Sequence, residues 1–242
     1  MGLLIRRTAG GPWTPADLGS QRFWIDADQL GLANNDPVAQ WDDEFGSYNY
    51  HFLQGLTANK PTFKTGVKFG RPAVYFDGGD NMQTANTSDM NNVSGDMVFW
   101  CVYKFNSFQP ALSAVFDKSD DATAAGTKFQ LTNWNGYDAT YWQSGVGTSS
   151  IILEDASSED TNWHYATVAR TGSTWTYRED AALHESGTLA GNINDCLYKP
   201  TIGSLSNGAW KMSGYIAEMG LIAEYEDPTT NLEPYLATKW GI

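Results

Sequence analysis

The chain is poor in cysteine, histidine and positive charge. Among its 242 residues are two cysteines and three histidines, and 15 Lys and Arg stand against 28 Asp and Glu. Two thiols cannot build a four-thiolate zinc site. Cys101 and Cys196 lie in apolar, strand-like contexts and are expected to be buried free thiols. His51, His164 and His184 are not at metal-ligand spacing. A formal charge of −13 repels phosphate backbones and anionic lipid, which argues against general nucleic-acid binding and membrane attachment. No apolar run approaches the roughly 18 residues that span a bilayer. Four residues separate Met1 from Arg6, too few for an apolar signal segment of about 7–15 residues. Synthesis in the cytoplasm without a signal peptide is therefore expected. Phosphate loops, dinucleotide fingerprints and nucleophile elbows are missing from the sequence.

Aromatic residues are plentiful: 10 Trp, 12 Tyr and 11 Phe, with 24 Gly. Such a chain is not disordered. Its length suits one all-β domain of roughly 200–250 residues. Residues 1–12 end in Gly10-Gly11-Pro12 and read as an N-terminal arm ahead of a domain over 13–242. Thr14-Pro15-Ala16-Asp17-Leu18-Gly19 signals a one-turn helix, with Thr14 as cap and Pro15 in the first position. Period-two segments follow at Phe23–Asp26, Val38–Trp41, Ala73–Phe76, Leu112–Phe116, Lys128–Trp134, Ala139–Gln143, His164–Arg170, Thr174–Arg178, Lys199–Gly203 and Tyr215–Ile222. Asn135-Gly136, Thr171-Gly172 and Asn207-Gly208 supply turn chemistry. Asp96–Phe105 is nearly all apolar and predicts a central strand buried on both faces. Many short strands with regular turns predict an all-β sandwich or barrel. A terminal helix is predicted over 231–241, with Asn231 as cap, Leu232, Leu236 and Trp240 on one stripe, and Gly241 as stop.

These blocks, in this order, resemble the concanavalin A-like, laminin-G-like jelly rolls found in bacterial, environmental and bacteriophage proteins. The entry segment Thr14–Leu18 with Phe23-Trp24-Ile25-Asp26-Ala27 resembles theirs. So do Gln40-Trp41-Asp42-Asp43, Arg71–Gly78, Asn162-Trp163-His164, and the hairpin to Glu179-Asp180. In that hairpin Ala181 stands where the family usually has glycine. The resemblance implies a two-sheet antiparallel jelly-roll sandwich with a short N-terminal helix and a C-terminal helix. It implies less about function, since the fold hosts lectins, glycosidases and structural modules.

Glycosidase chemistry needs two carboxylates about 5–5.5 Å apart for retention, and related enzymes carry Glu-x-Asp-x-(x)-Glu. No such run occurs here. The acidic stretches Glu154–Asp160 and Glu179–Glu185 are expected in a solvated loop and a hairpin turn. His164 is expected to be structural beside Trp163. Calcium is the candidate metal, because hard cations take loop carboxylates. Asp77, Asp80, Asp117, Asp120 and Asp121 sit in oxygen-rich turns, for which plain turn chemistry is the competing reading. A glycan would stack on aromatic plates flanked by amides and carboxylates. The densest such run is Asn133, Trp134, Tyr137, Asp138, Tyr141 and Trp142, with Trp210 in a separate turn. Packing of Trp134 and Trp142 in the core is the alternative.

The sequence thus points to a non-enzymatic structural or adhesion protein. The resemblance suggests a bacteriophage virion surface component (decoration, tail or fibre) with a cell-surface glycan as a candidate ligand. An oligomer is expected, with Arg6 and Arg7 docking the arm on another virion protein. A free lectin-like module is the first alternative and a laminarinase-like hydrolase the second. No cofactor is required on any binding reading.

Overall fold

The computed structural model describes residues 12–46, 48–84, 90, 93–106, 112–119, 127–134, 139–146, 148–155, 160–194, 196 and 198–242. Of some residues within these strands, Trp134 and Tyr141 among them, only the backbone is described. Among the described residues there are sixteen strands: β1 (Gln21–Asp26), β2 (Gln40–Trp41), β3 (Phe52–Leu53), β4 (Thr62–Lys68), β5 (Arg71–Asp77), β6 (Met82–Thr84), β7 (Met97–Phe105), β8 (Leu112–Ser119), β9 (Thr127–Trp134), β10 (Ala139–Val146), β11 (Ser149–Asp155), β12 (His164–Thr171), β13 (Thr174–Glu179), β14 (Ala182–Thr188), β15 (Thr201–Ile202) and β16 (Ser213–Ile222). One helix, α1 (Leu232–Trp240), follows them.

The strands form two antiparallel sheets. The first runs β14-β13-β12-β7-β16-β5-β4, with β1 alongside β16. The second runs β11-β10-β9-β8-β15-β6-β3-β2. The all-β two-sheet sandwich expected from the sequence is the observed fold. Between the sheets lies an aromatic core that includes Phe23, Phe52, Phe76, Phe99, Phe116, Trp142, Trp175 and Tyr177. Period-two alternation on β7 sends Phe99, Cys101 and Tyr103 into it.

The other face of β7 is buried too, as its continuous apolar run predicts. Val98, Trp100 and Val102 pack under Leu232, Leu236 and Trp240 of α1. The Trp100 ring lies across Gly220, where a Cβ would sit 2.1 Å from it. Gly241, at φ +62°, closes the helix, its N–H bonded to the Ala237 carbonyl. Asn231 precedes the first turn, but its side chain makes no capping bond. The entry segment forms a 3-10 turn over Pro15–Asp17, where the Asp17 carboxylate accepts the Thr14 N–H at 2.8 Å.

Charge is also buried beneath α1. Glu218 accepts the Trp24 Nε1–H at 2.8 Å, the Trp240 Nε1–H at 2.9 Å and Lys239 Nζ at 2.9 Å. Lys239 also donates to Asp26 at 2.6 Å. Burial and the neighbouring Glu218 push Asp26 up to about 7, against the pull of Lys239.

Five strands differ from the sequence expectation. No strand is expected at β3, β4 or β6, the start of an acidic loop is expected at Glu154-Asp155 on β11, and a turn reaching Glu185 is expected on β14. β4 and β14 are sheet edges whose side chains are mostly exposed or half-buried. With little buried face, they carry no clean alternation.

Candidate functional site

The outer face of the second sheet carries a continuous cross-strand row. Ile152, Gln143, Gln130, Asp117, Thr201, Gln83, Leu53 and Gln40 are successive pairing partners from β11 to β2. Their neighbours Trp142, Leu131, Phe116, Ile202, Met82 and Phe52 enter the core, so the row faces away from it, with Gln130, Asp117 and Thr201 nonetheless buried and Gln143, Gln83 and Gln40 accessible. A bulge between Ala114 and Phe116 turns both Val115 and Phe116 inward and restores Asp117 to the outer face.

The turn between β15 and β16 folds over this row. Gly203 N–H bonds the Val115 carbonyl at 3.0 Å, and Ala114 N–H bonds the Trp210 carbonyl at 2.8 Å. Ser206 donates its N–H at 2.7 Å and its hydroxyl at 2.6 Å to Asp117. Gln83 Nε2 bonds Thr201 Oγ1 at 3.1 Å and the Ser206 carbonyl at 3.0 Å. Asn81 Nδ2 reaches Ser204 Oγ at 3.2 Å, and Gln54 Nε2 reaches Asn81 Oδ1 at 2.8 Å. Trp210 is half-buried and has φ +52°. A bulky residue in the left-handed region is strained.

The β15–β16 segment touches the strand or turn of three sequence candidates: it carries Trp210, its Ser206 bonds Asp117, and its Lys211 reaches the Asp77–Asp80 turn. Lys211, next to Trp210, donates to the Gly79 carbonyl. The others are placed differently. Trp142 is fully buried, its ring tilted against Phe99 and Phe129 with centroids at 4.9 and 5.7 Å. A ring with no exposed surface offers no plate to a sugar, so the packing alternative is the correct one for Trp142. Asn133 is 2% exposed and is likewise no ready sugar contact. The backbones of Trp134 and Tyr141 lie on β9 and β10. Tyr137, Asp138, Asp120, Asp121, Arg6 and Arg7 lie outside the described residues.

Calcium takes about 6–8 oxygens, and the described carboxylates of the acidic turns accept hydrogen bonds from the chain itself. Asp77 Oδ1 accepts Gly79 N–H at 2.7 Å, and Asp80 Oδ2 accepts Asp77 N–H at 2.9 Å. These are self-capped turns. Burial and the adjacent Asp77 push Asp80 up to about 6. Asp117 has both oxygens engaged, by Ser119 at 2.7 Å, Gln130 at 3.3 Å and Ser206. Burial lifts it to about 6 despite those donors.

A second charged cluster, which the sequence reading treated only as a structural histidine, sits at the β13–β14 turn. His164 Nδ1 lies 2.8 Å from Asp180 and 3.2 Å from Glu179, and Nε2 lies 2.8 Å from Asp160. Glu179 also accepts the hydroxyls of Tyr103 and Tyr177, each at 2.7 Å. Among the described residues this is the one set of three side chains, His164, Glu179 and Asp180, whose ligand atoms converge. Burial opposes the imidazolium, but Asp180, Glu179 and Asp160 outweigh it and raise His164 to about 9. Carboxylates face both ring nitrogens and favour the imidazolium, so the described side chains form an ion-pair clamp. The signal for it was Asp180 following Glu179 in a tight turn.

The class defined by this geometry is a two-sheet antiparallel β-sandwich with one outer face sealed by a helix and the other lined by polar side chains. No family model matches the chain, and no curated protein does. Among solved structures it is similar to the botulinum neurotoxin type G receptor-binding domain, with a TM-score of 0.58 at 9% identity over 91% of this chain and 51% of that one. It is also similar to domain 4 of AbnA, an extracellular arabinanase of Geobacillus stearothermophilus solved with arabinotriose. There the TM-score is 0.56 at 12% identity, over 81% and 97% of the two chains. The binding domain of botulinum neurotoxin DC in complex with SialylT gives 0.57 at 10%, over 91% and 52%. The chain spans about half the length of the neurotoxin domains. At such identities the likeness is one of fold.

Proposed function

We propose that this chain is a non-catalytic recognition module that binds a glycan on the outer face of its second sheet, at the turn carrying Trp210. One observation carries the reading: a half-buried Trp210 at φ +52° belongs to the turn whose Ser206 carbonyl accepts the amide of a half-buried Gln83. An aromatic face with orienting amides is what sugar recognition uses. Similar folds solved with arabinotriose and with SialylT support the class of ligand. Hydrolysis would need a second carboxylate facing Asp117. Among the described residues the row holds Asp117 alone, already bonded on both oxygens.

The resemblance to bacteriophage jelly rolls extends this reading to a virion surface protein meeting a host glycan. Immunogold labelling of particles would test that location. The binding site itself is tested by a glycan array followed by two variants. Trp210→Gly relieves the left-handed strain, so it should raise the melting temperature while weakening glycan binding at least tenfold. Gln83→Ala should weaken binding with little change in melting. Unchanged affinity in both variants would remove this site.

A further inference from the structure

A cleft of about 330 Å³ opens on the helix side of the molecule, far from the glycan face. Its floor is apolar, made by Leu18, Val98 and Ile222, and Trp13 forms one wall. Three exposed carboxylates, Asp17, Glu226 and Asp227, stand around it, and among the described residues no cationic side chain lines it. The nearby Arg178 is already held by Glu233 at 2.7 Å. Trp13 is fixed edge-on to Tyr235, with centroids 5.7 Å apart. An apolar floor, an indole wall and an anionic rim together fit a guanidinium or ammonium on an apolar stem.

We propose that this cleft receives the chain's own N-terminal segment, residues 1–11, with Arg6 or Arg7 against the acidic rim. The segment joins the fold at Pro12, beside the cleft wall. Arg7 is six residues from Trp13, a reach of up to about 20 Å when extended. The sequence Leu3-Leu4-Ile5-Arg6-Arg7 pairs apolar and basic residues, as the cleft pairs an apolar floor with acids. Tethering supplies an effective concentration in the millimolar range, enough for contacts that are individually weak. This inference is independent of the glycan reading.

The test uses the full chain and agmatine, a guanidinium on a four-carbon stem, followed by the NMR shift of the Trp13 indole N–H. Trp13→Phe identifies that resonance. The double variant Arg6→Ser/Arg7→Ser should shift it even without agmatine, and should then bind agmatine at least tenfold more tightly than the parent chain. Adding Glu226→Lys should abolish that binding, with melting unchanged because Glu226 is exposed. Equal agmatine affinity in parent and double variant would overturn the proposal, as would no agmatine binding by the double variant.

Discussion

Single side chains decide much of what this fold tolerates. Asp180 and Ala181 occupy the two central positions of the β13–β14 turn at φ +48° and +67°. That is the mirror-image turn hairpins favour, and glycine is its natural second residue. Ala181→Gly should raise stability by about 0.5–1 kcal/mol, seen as a higher denaturation midpoint. His164 gives a residue-scale pH signature. Its folded pKa of about 9 lies above its ordinary 6.5, so the folded state holds a proton the unfolded chain gives up. The stabilisation is full below about pH 6.5 and is lost as pH rises through 9, amounting to about 3 kcal/mol. Asp26, raised to about 7, acts with the same sign but over a lower window. Unfolding titrations between about pH 7 and 8 therefore report chiefly on the histidine, below the range where the buried Cys101 thiol contributes. His164→Gln should flatten stability across that range, and an unchanged slope would refute the assignment.

At the scale of elements, the C-terminal helix is held by chemistry as much as by its apolar stripe. Glu218 alone satisfies two indole N–H groups and shares Lys239 with Asp26. Removing one member of a buried, hydrogen-bonded ion pair typically costs about 3–5 kcal/mol. Glu218→Ala should lose about that much, and hydrogen exchange over residues 232–240 should accelerate before global unfolding. The stripe Leu232, Leu236 and Trp240 was legible in the sequence because helical spacing marks it. Glu218 was not, because a lone acid in an apolar strand announces no partner. β7 was legible for a related reason: a strand buried on both faces reads as an unbroken apolar run. The edge strands β4 and β14 were hidden because they present little buried face.

The whole molecule distributes its two outer faces unequally. Most of the aromatics that dominate the composition are structural: Trp41, Trp100, Trp142, Trp175 and Trp240 are all fully buried. The run around Trp142 was the densest aromatic stretch in the sequence. Density along the chain, however, does not report which way a strand's side chains face, and register placed Trp142 inside. Trp210 and Asp117 were each visible as residues but not as neighbours. They are 93 positions apart in sequence (210 − 117), and the β8–β15 pairing, the Ser206–Asp117 bonds and the Ala114–Trp210 bond bring their segments together. The net charge of −13 clothes this body in anionic surface, which keeps like particles apart and leaves the neutral amides of the second sheet as a distinct patch.

The contact between Trp13 and Tyr235 has a geometric consequence. It brings the start of the described chain against the helix that ends it, on the side of the first sheet. The entry segment and the closing helix therefore cover the same sheet, and the turn with Trp210 lies over the other.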